Sequence, residues 1–329
     1  MPIAMPSLLS GARSLATRFG RWRVCGLVSG VMLATGLCMS PGAALAQTRV
    51  SFPSLDRNPD GTEAMVIGHW FEAPDPAGRQ GAVLLLHGCG GPYNARGALS
   101  QRMVEYAALL RARGLAVLIT DSFTGRGEKE LCTQRIGARR IDQGHRRLDT
   151  WAALRWVAAQ PGIDPARIAV IGWSHGGSTV LSALDHAQPA WPSIGVMPAA
   201  AVAFYPGCSE ALRLGSRPVS PLLLMIGADD DWTPARPCEH WVHGVKARQA
   251  GPSTDAAPPA RIELKVYEGA FHNFDSTAPV RVRQDVPNGT QPGRGVTTGG
   301  NPEARQDAHV RMLSFLERWR VIETQAPRD

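Results

Sequence analysis

A serine flanked by glycines, Gly172-Trp173-Ser174-His175-Gly176, is the stretch of this chain best suited to chemistry. Residues 168–171 ahead of it form a short, continuous apolar run, as in a strand covered on both faces. Residues 178–187 after it are compatible with a helix. Strand, tight turn and helix in that order make a nucleophile elbow, whose turn leaves no room for flanking side chains and so takes glycine on both sides. Ser174 is then expected at the carboxyl end of a sheet, beside the positive end and free N–H groups of the helix. The competing reading is a glycine-rich turn with an incidental serine.

A serine hydroxyl needs a base, and the base needs an acid to orient it. The chain has nine histidines, so composition does not select one. His272 lies in the loop Gly269-Ala270-Phe271-His272-Asn273-Phe274, after an alternating, strand-like run at 261–267. His87 and His175 belong to turns whose backbone matters more than their rings, and His240 and His243 fall on a surface helix. The acid comes from Gly227-Ala228-Asp229-Asp230-Asp231-Trp232-Thr233-Pro234. Asp230 has the spacing usual for such an acid; Asp229 and Asp231 are the alternatives, and an acidic turn or helix cap is the bland reading. Serine, aspartate and histidine then follow in the chain order of a Ser-Asp-His hydrolase. For the oxyanion, the backbone N–H of Cys89, in the glycine-rich turn His87-Gly88-Cys89-Gly90-Gly91, pairs with the N–H of His175. The Cys89 thiol lacks an elbow and is not read as a nucleophile. Arg126 is a candidate for binding a substrate carboxylate, against the blander reading of a solvated charged loop.

These residues need a scaffold. Runs at 50–55 and 64–71, separated by Asn58-Pro59-Asp60-Gly61, predict a hairpin at a sheet edge. Strands are expected at 82–86, 115–120, 168–171, 200–205, 222–226 and 261–267, with helices at 97–113, 141–160 and 302–322 between and after them. The fold class is therefore α/β: a mostly parallel twisted sheet of about eight strands with helices on both faces and no large cap domain. The irregular stretch 276–300 either overhangs the pocket or is a surface excursion.

The chain opens with Arg13, Arg18, Arg21 and Arg23, an apolar run from Val24 to about Met39, and small residues at Ala44-Leu45-Ala46. This is the three-part pattern of a signal peptide cleaved near Ala46/Gln47. Residues 47–329 then form one domain, exported to the periplasm or medium, with no membrane attachment after cleavage. The net charge of +7 falls to near +3, because residues 1–46 hold four arginines and no acid. No basic stripe interleaved with aromatics is present, so nucleic acid is not an expected partner. In an oxidising compartment Cys89, Cys132, Cys208 and Cys238 become disulfide candidates, since each follows a predicted strand. Neighbouring strand ends favour 208–238 first and 89–132 second; four buried free thiols are the alternative. Their spacings do not suit zinc, and no metal site is expected.

The chain resembles the dienelactone hydrolase family of the α/β-hydrolase fold over most of residues 64–320. The resemblance is carried by the glycine-rich turn at 87–91, by Asp121-Ser122-Phe123 with Arg126-Gly127, and by the elbow, acid and histidine motifs quoted above. Founding members carry cysteine in the elbow, where this chain has Ser174. The resemblance thus implies a serine hydrolase that cleaves small carboxylic esters or lactones through an acyl-enzyme and needs no cofactor. A peptidase or acyltransferase on the same scaffold, or a non-catalytic exported binding protein, are the alternatives.

Overall fold

The computed structural model describes residues 47–74, 78–188, 191–250 and 261–323. The expected signal peptide lies outside the described residues. The chain starts with strands β1 (Thr48–Arg57) and β2 (Glu63–Phe71), joined by the Asn58–Gly61 turn into the antiparallel hairpin that the sequence predicts. Then come β3 (Gln80–Leu86), α1 (Gln101–Arg111), β4 (Ala116–Asp121) and α2 (Gln143–Ala158). The elbow unit follows as β5 (Ile163–Trp173) and α3 (His175–Ala183), with a short α4 (Trp191–Ile194) behind it. The second half holds β6 (Ala200–Phe204), α5 (Ser209–Leu214), β7 (Leu222–Gly227), α6 (Ala235–Ala250) and β8 (Ile262–Tyr267). A small hairpin, β9 (Arg281–Arg283) with β10 (Val296–Thr298), leads to α7 (Pro302–Arg318).

The eight-stranded sheet has the order β1-β2-β4-β3-β5-β6-β7-β8. The β1/β2 and β2/β4 pairs are antiparallel and the rest parallel. This is the α/β-hydrolase fold. Strands covered on both faces read as continuous apolar runs, and β4, β6 and β7 are buried at every residue. Right-handed crossovers in opposite directions put α1 on one face and α2, α3 and α6 on the other. Helix α7 returns to the α1 face, where Arg305 pairs with Glu105 and the His309 ring meets Tyr106.

The chain leaves β3 in one direction along the sheet and later adds β5 on its other side. Ligands in open α/β sheets collect at such a reversal, outside the carboxyl ends of the strands. Here those ends are Leu86 and Gly172, which lie opposite each other in register. Helix α1 starts at Gln101, later than expected, because residues 93–99 close a separate turn with a Tyr93–Leu99 bridge. Helix α3 begins directly after Ser174 rather than at Ser178, so Gly176 and Gly177 form its first turn. Among the described residues no helix is long and apolar enough to cross a membrane.

Candidate active site

The elbow is held by close backbone approach. Ser174 sits at φ 53° and ψ −117°, in the positive-φ region that costs a non-glycine residue about 1–3 kcal/mol. Its N–H donates to the Phe204 carbonyl of β6 (2.9 Å), and its carbonyl accepts from the Ser178 N–H (2.8 Å). A Cβ at Gly172 would lie 2.2 Å from the Gly176 oxygen, and one at Gly176 would lie 2.1 Å from the Leu86 oxygen. Glycine at both positions is therefore a packing requirement, as the motif implies.

Two loops bring a histidine and an acid to this serine. A Cβ at Gly227 would strike the Ala270 carbonyl at 2.1 Å, so the turn after β7 and the loop after β8 touch. His272 Nε2 lies 2.9 Å from Ser174 Oγ, and its Nδ1 lies 2.8 Å from Asp230 Oδ2. This pattern assigns the proton to Nδ1, which donates to the carboxylate and leaves Nε2 to accept from the hydroxyl. Both side chains are buried. The other Asp230 oxygen accepts from the N–H groups of Trp232 (2.9 Å) and Thr233 (2.8 Å).

The three adjacent aspartates thus separate by environment. Asp229 is exposed. Asp231 faces away from His272 and accepts from the Thr297 N–H (2.7 Å) and hydroxyl (2.8 Å). Thr233 was not singled out by sequence, yet its Oγ1 lies 2.9 Å from Asp230 Oδ2 and 3.1 Å from His272 Nδ1.

The turn after β3 lies against the elbow: a Cβ at Gly88 would be 3.5 Å from Ser174 Cβ. Cys89, Ser174 and His175 line one cavity. No backbone acceptor among the described residues engages the N–H of Cys89 or His175. Cys89 is disulfide-bonded to Cys132, and Cys208 to Cys238, the two pairs favoured from strand order. Beneath the turn, burial and the nearby Arg146 push His87 down to about 3, and the same two causes hold His175 well below the ordinary histidine range. Both rings are neutral at physiological pH.

The Arg126 expectation is corrected. Its side chain is 8 % exposed, forks onto Asp149 (2.7 and 2.9 Å) and reaches Asp56 (2.9 Å). It ties β1 and α2 to the turn after β4 and is neither a solvated charge nor a cavity residue. The carboxylates that claim it lie far away in sequence, so the loop's composition gave no warning.

A second residue missed by sequence is Asp275, three positions after His272. Its buried carboxylate accepts from Trp173 Nε1 (2.9 Å), Tyr106 Oη (3.0 Å), Tyr205 Oη (2.6 Å) and Arg102 (3.1 and 3.2 Å). Trp173 precedes Ser174, and the Tyr205 ring packs 4.6 Å from that of His272. A single carboxylate therefore joins the elbow, the end of β6 and the histidine loop.

The cavity has a volume of about 800 Å³ and is lined in part by Ser174, Ile136, Leu181, Leu214, Trp232 and Thr290. Residues 288–290 come from the irregular stretch 276–300, which lies along the pocket. Asp231 holds that stretch, through Thr297 and through a carbonyl that accepts from the Thr290 N–H (2.8 Å). Among the described residues no group of His, Cys, Asp and Glu is arranged to bind a metal.

A model of the dienelactone hydrolase family matches residues 71–319. An uncharacterized protein of Mycobacterium tuberculosis is 27% identical over 241 residues, which span 68% of this chain and 74% of that protein. Esterase 2 of Thermogutta terrifontis superposes with a TM-score of 0.54 at 17% identity, over 85% of this chain and 97% of that one. Dipeptidyl peptidase 4 of Porphyromonas gingivalis superposes with a TM-score of 0.55 at 17% identity, over 83% of this chain and 35% of that one. At such identities the two superpositions speak to fold alone.

Proposed function

The chain belongs to the dienelactone hydrolase family of hydrolases, and on that premise we propose that it is a serine hydrolase cleaving carboxylic esters or lactones through an acyl-enzyme. The observation that carries this reading is the continuous line from Asp230 through His272 to Ser174, at 2.8 and 2.9 Å.

In this mechanism Ser174 Oγ attacks the ester carbonyl while His272 Nε2 takes its proton. Asp230 stabilises the imidazolium without itself becoming protonated. The carbonyl oxygen becomes an oxyanion between the N–H groups of Cys89 and His175. Removing one such donor costs on the order of 10²–10³-fold in rate. As the tetrahedral intermediate collapses, the C–O bond to the alcohol breaks and His272 returns its proton to the leaving oxygen. A water then attacks the acyl-enzyme with the same imidazole as base, releasing the acid and regenerating Ser174. Every proton in the cycle is handled by His272.

A cavity of about 800 Å³ supports small to medium substrates. Thermogutta terrifontis esterase 2, which shares the fold, has been solved with propionate bound and as a paraoxon adduct. Export is part of the proposal: two disulfides belong to an oxidising compartment, and residues 1–46 have the composition of a signal peptide. The test is a hydrolysis screen over p-nitrophenyl esters of increasing acyl length and over lactones, with an added alcohol or amine acceptor to detect transfer. Release of free acid from short acyl esters supports the reading. Transfer to the acceptor without hydrolysis, or cleavage of amides alone, overturns it.

A further inference from the structure

Helix α2 carries Arg146, whose side chain is fully enclosed, at 0% exposure. Among the described residues it forms no ion pair. Asp149, three residues on, is committed to Arg126 and to the Ser54 hydroxyl. Burial pushes Arg146 down to about 10, which leaves it charged at neutral pH. Enclosing a charge with no direct ion-pair contact is costly, and only the attraction of the neighbouring Asp149 and Asp121 carboxylates offsets it.

The hydrogen bonds of Arg146 point elsewhere. One terminal nitrogen donates to the carbonyl of His87 (2.9 Å), two residues before Cys89. The other donates to Nδ1 of His175 (2.8 Å). Its Nε has no partner, and the Phe123 ring covers the guanidinium at 5.2 Å. One side chain therefore grips both segments assigned to the oxyanion, one by a main-chain carbonyl and the other by a neutral ring.

Resting on the serine-hydrolase reading, we propose that Arg146 is a positioning residue for the oxyanion site. It fixes the Cys89 and His175 segments relative to each other and sets a permanent positive charge behind them. A charge held there in advance favours the anionic tetrahedral intermediate over the neutral ester, so it acts on turnover more than on binding.

The test uses Arg146→Met, Arg146→Gln and Arg146→Lys in the full chain beside the parent protein. A short p-nitrophenyl ester gives kcat and KM. A trifluoromethyl ketone, which adds Ser174 Oγ to its carbonyl to leave an oxyanion as His272 takes the proton, gives Ki. In the Met and Gln variants kcat is expected to fall about 10- to 100-fold, with KM within about threefold and Ki rising in step with the loss of kcat/KM. Lysine keeps the charge but loses the two-pronged grip, and should recover part of kcat. Melting temperature should stay near the parent value in at least the Met variant. Unchanged kcat, or unfolding of all three variants, would overturn the inference. A parent protein that turns over no ester would instead defeat the hydrolase reading, so the two failures are distinguishable.

Discussion

Asp275→Asn is the substitution whose cost can be worked most fully from the structure. The carboxylate is buried and accepts five contacts from four side chains. Asparagine keeps the shape but carries one acceptor oxygen and an NH2 group. The best orientation turns the oxygen toward Trp173, Tyr106 and the Arg102 Nε. The NH2 then faces Tyr205, whose hydroxyl can rotate to accept, and an Arg102 nitrogen that can only donate. Every remaining bond loses its charge assistance, and Arg102 loses its ion-pair partner. Breaking a largely buried ion pair by removing one member costs about 3–5 kcal/mol. For a domain of this size that is a fall in melting temperature on the order of 10 °C. Because Trp173 and Tyr205 flank Ser174 and His272, kcat should drop with it even well below the melting transition. Thermal unfolding followed by circular dichroism, with ester kinetics at 25 °C, measures both. A variant melting within 2 °C of the parent with unchanged kcat would refute the account of Asp275 as the tie between elbow and histidine loop.

Cys132→Ser should cost about 4 kcal/mol, from the chain-entropy value for a disulfide closing a 43-residue separation. It should also lower kcat, because it frees the turn carrying the Cys89 N–H; a stability loss with kcat intact would separate the disulfide from the site. Asp231→Ala frees Thr297 but keeps the main-chain bond to the Thr290 N–H, and so loosens the stretch that brings residues 288–290 to the cavity. It should raise KM severalfold and leave kcat largely intact, and the opposite pattern would contradict that role. Acid should destabilise the protein from just below pH 6.5. His87 and His175 have depressed values in the fold, so the unfolded chain binds more protons and stability falls as pH falls. His87, the more deeply enclosed of the two rings, should contribute to this loss between neutral pH and pH 4, as the unfolded chain takes up a proton that the fold does not. Denaturant titrations across pH 4–7 check this, and a flat profile would contradict it.

What could be read in the sequence was whatever is local or periodic. The apolar runs at β3, β4, β6 and β7 mark buried strands, and Gly172 and Gly176 mark an elbow because their backbones must approach others. The hairpin β1–β2 announced itself by its turn. The disulfide pairs followed from strand order, since neighbouring strand ends come together whatever the loops do. What escaped was pairing between distant segments. Arg126 read as a loop charge because Asp149 and Asp56, which neutralise it, lie 23 and 70 residues away. Asp275 and Arg146 looked like ordinary polar positions, one in a loop and one on a helix. Nothing local says that the first gathers Trp173, Tyr106, Tyr205 and Arg102, or that the second is sealed beneath His87 and His175. The aspartate trio could be ranked by spacing, but its division of labour depends on Thr297, more than sixty positions downstream.

The most direct measurement of the central claim is covalent labelling with a fluorophosphonate, followed by mass spectrometry of the peptides. The account predicts one adduct, on Ser174 Oγ, formed in step with loss of ester hydrolysis, and neither labelling nor turnover in Ser174→Ala, which should still melt like the parent. An adduct on another residue, or hydrolysis that survives the Ser174→Ala change, would contradict it.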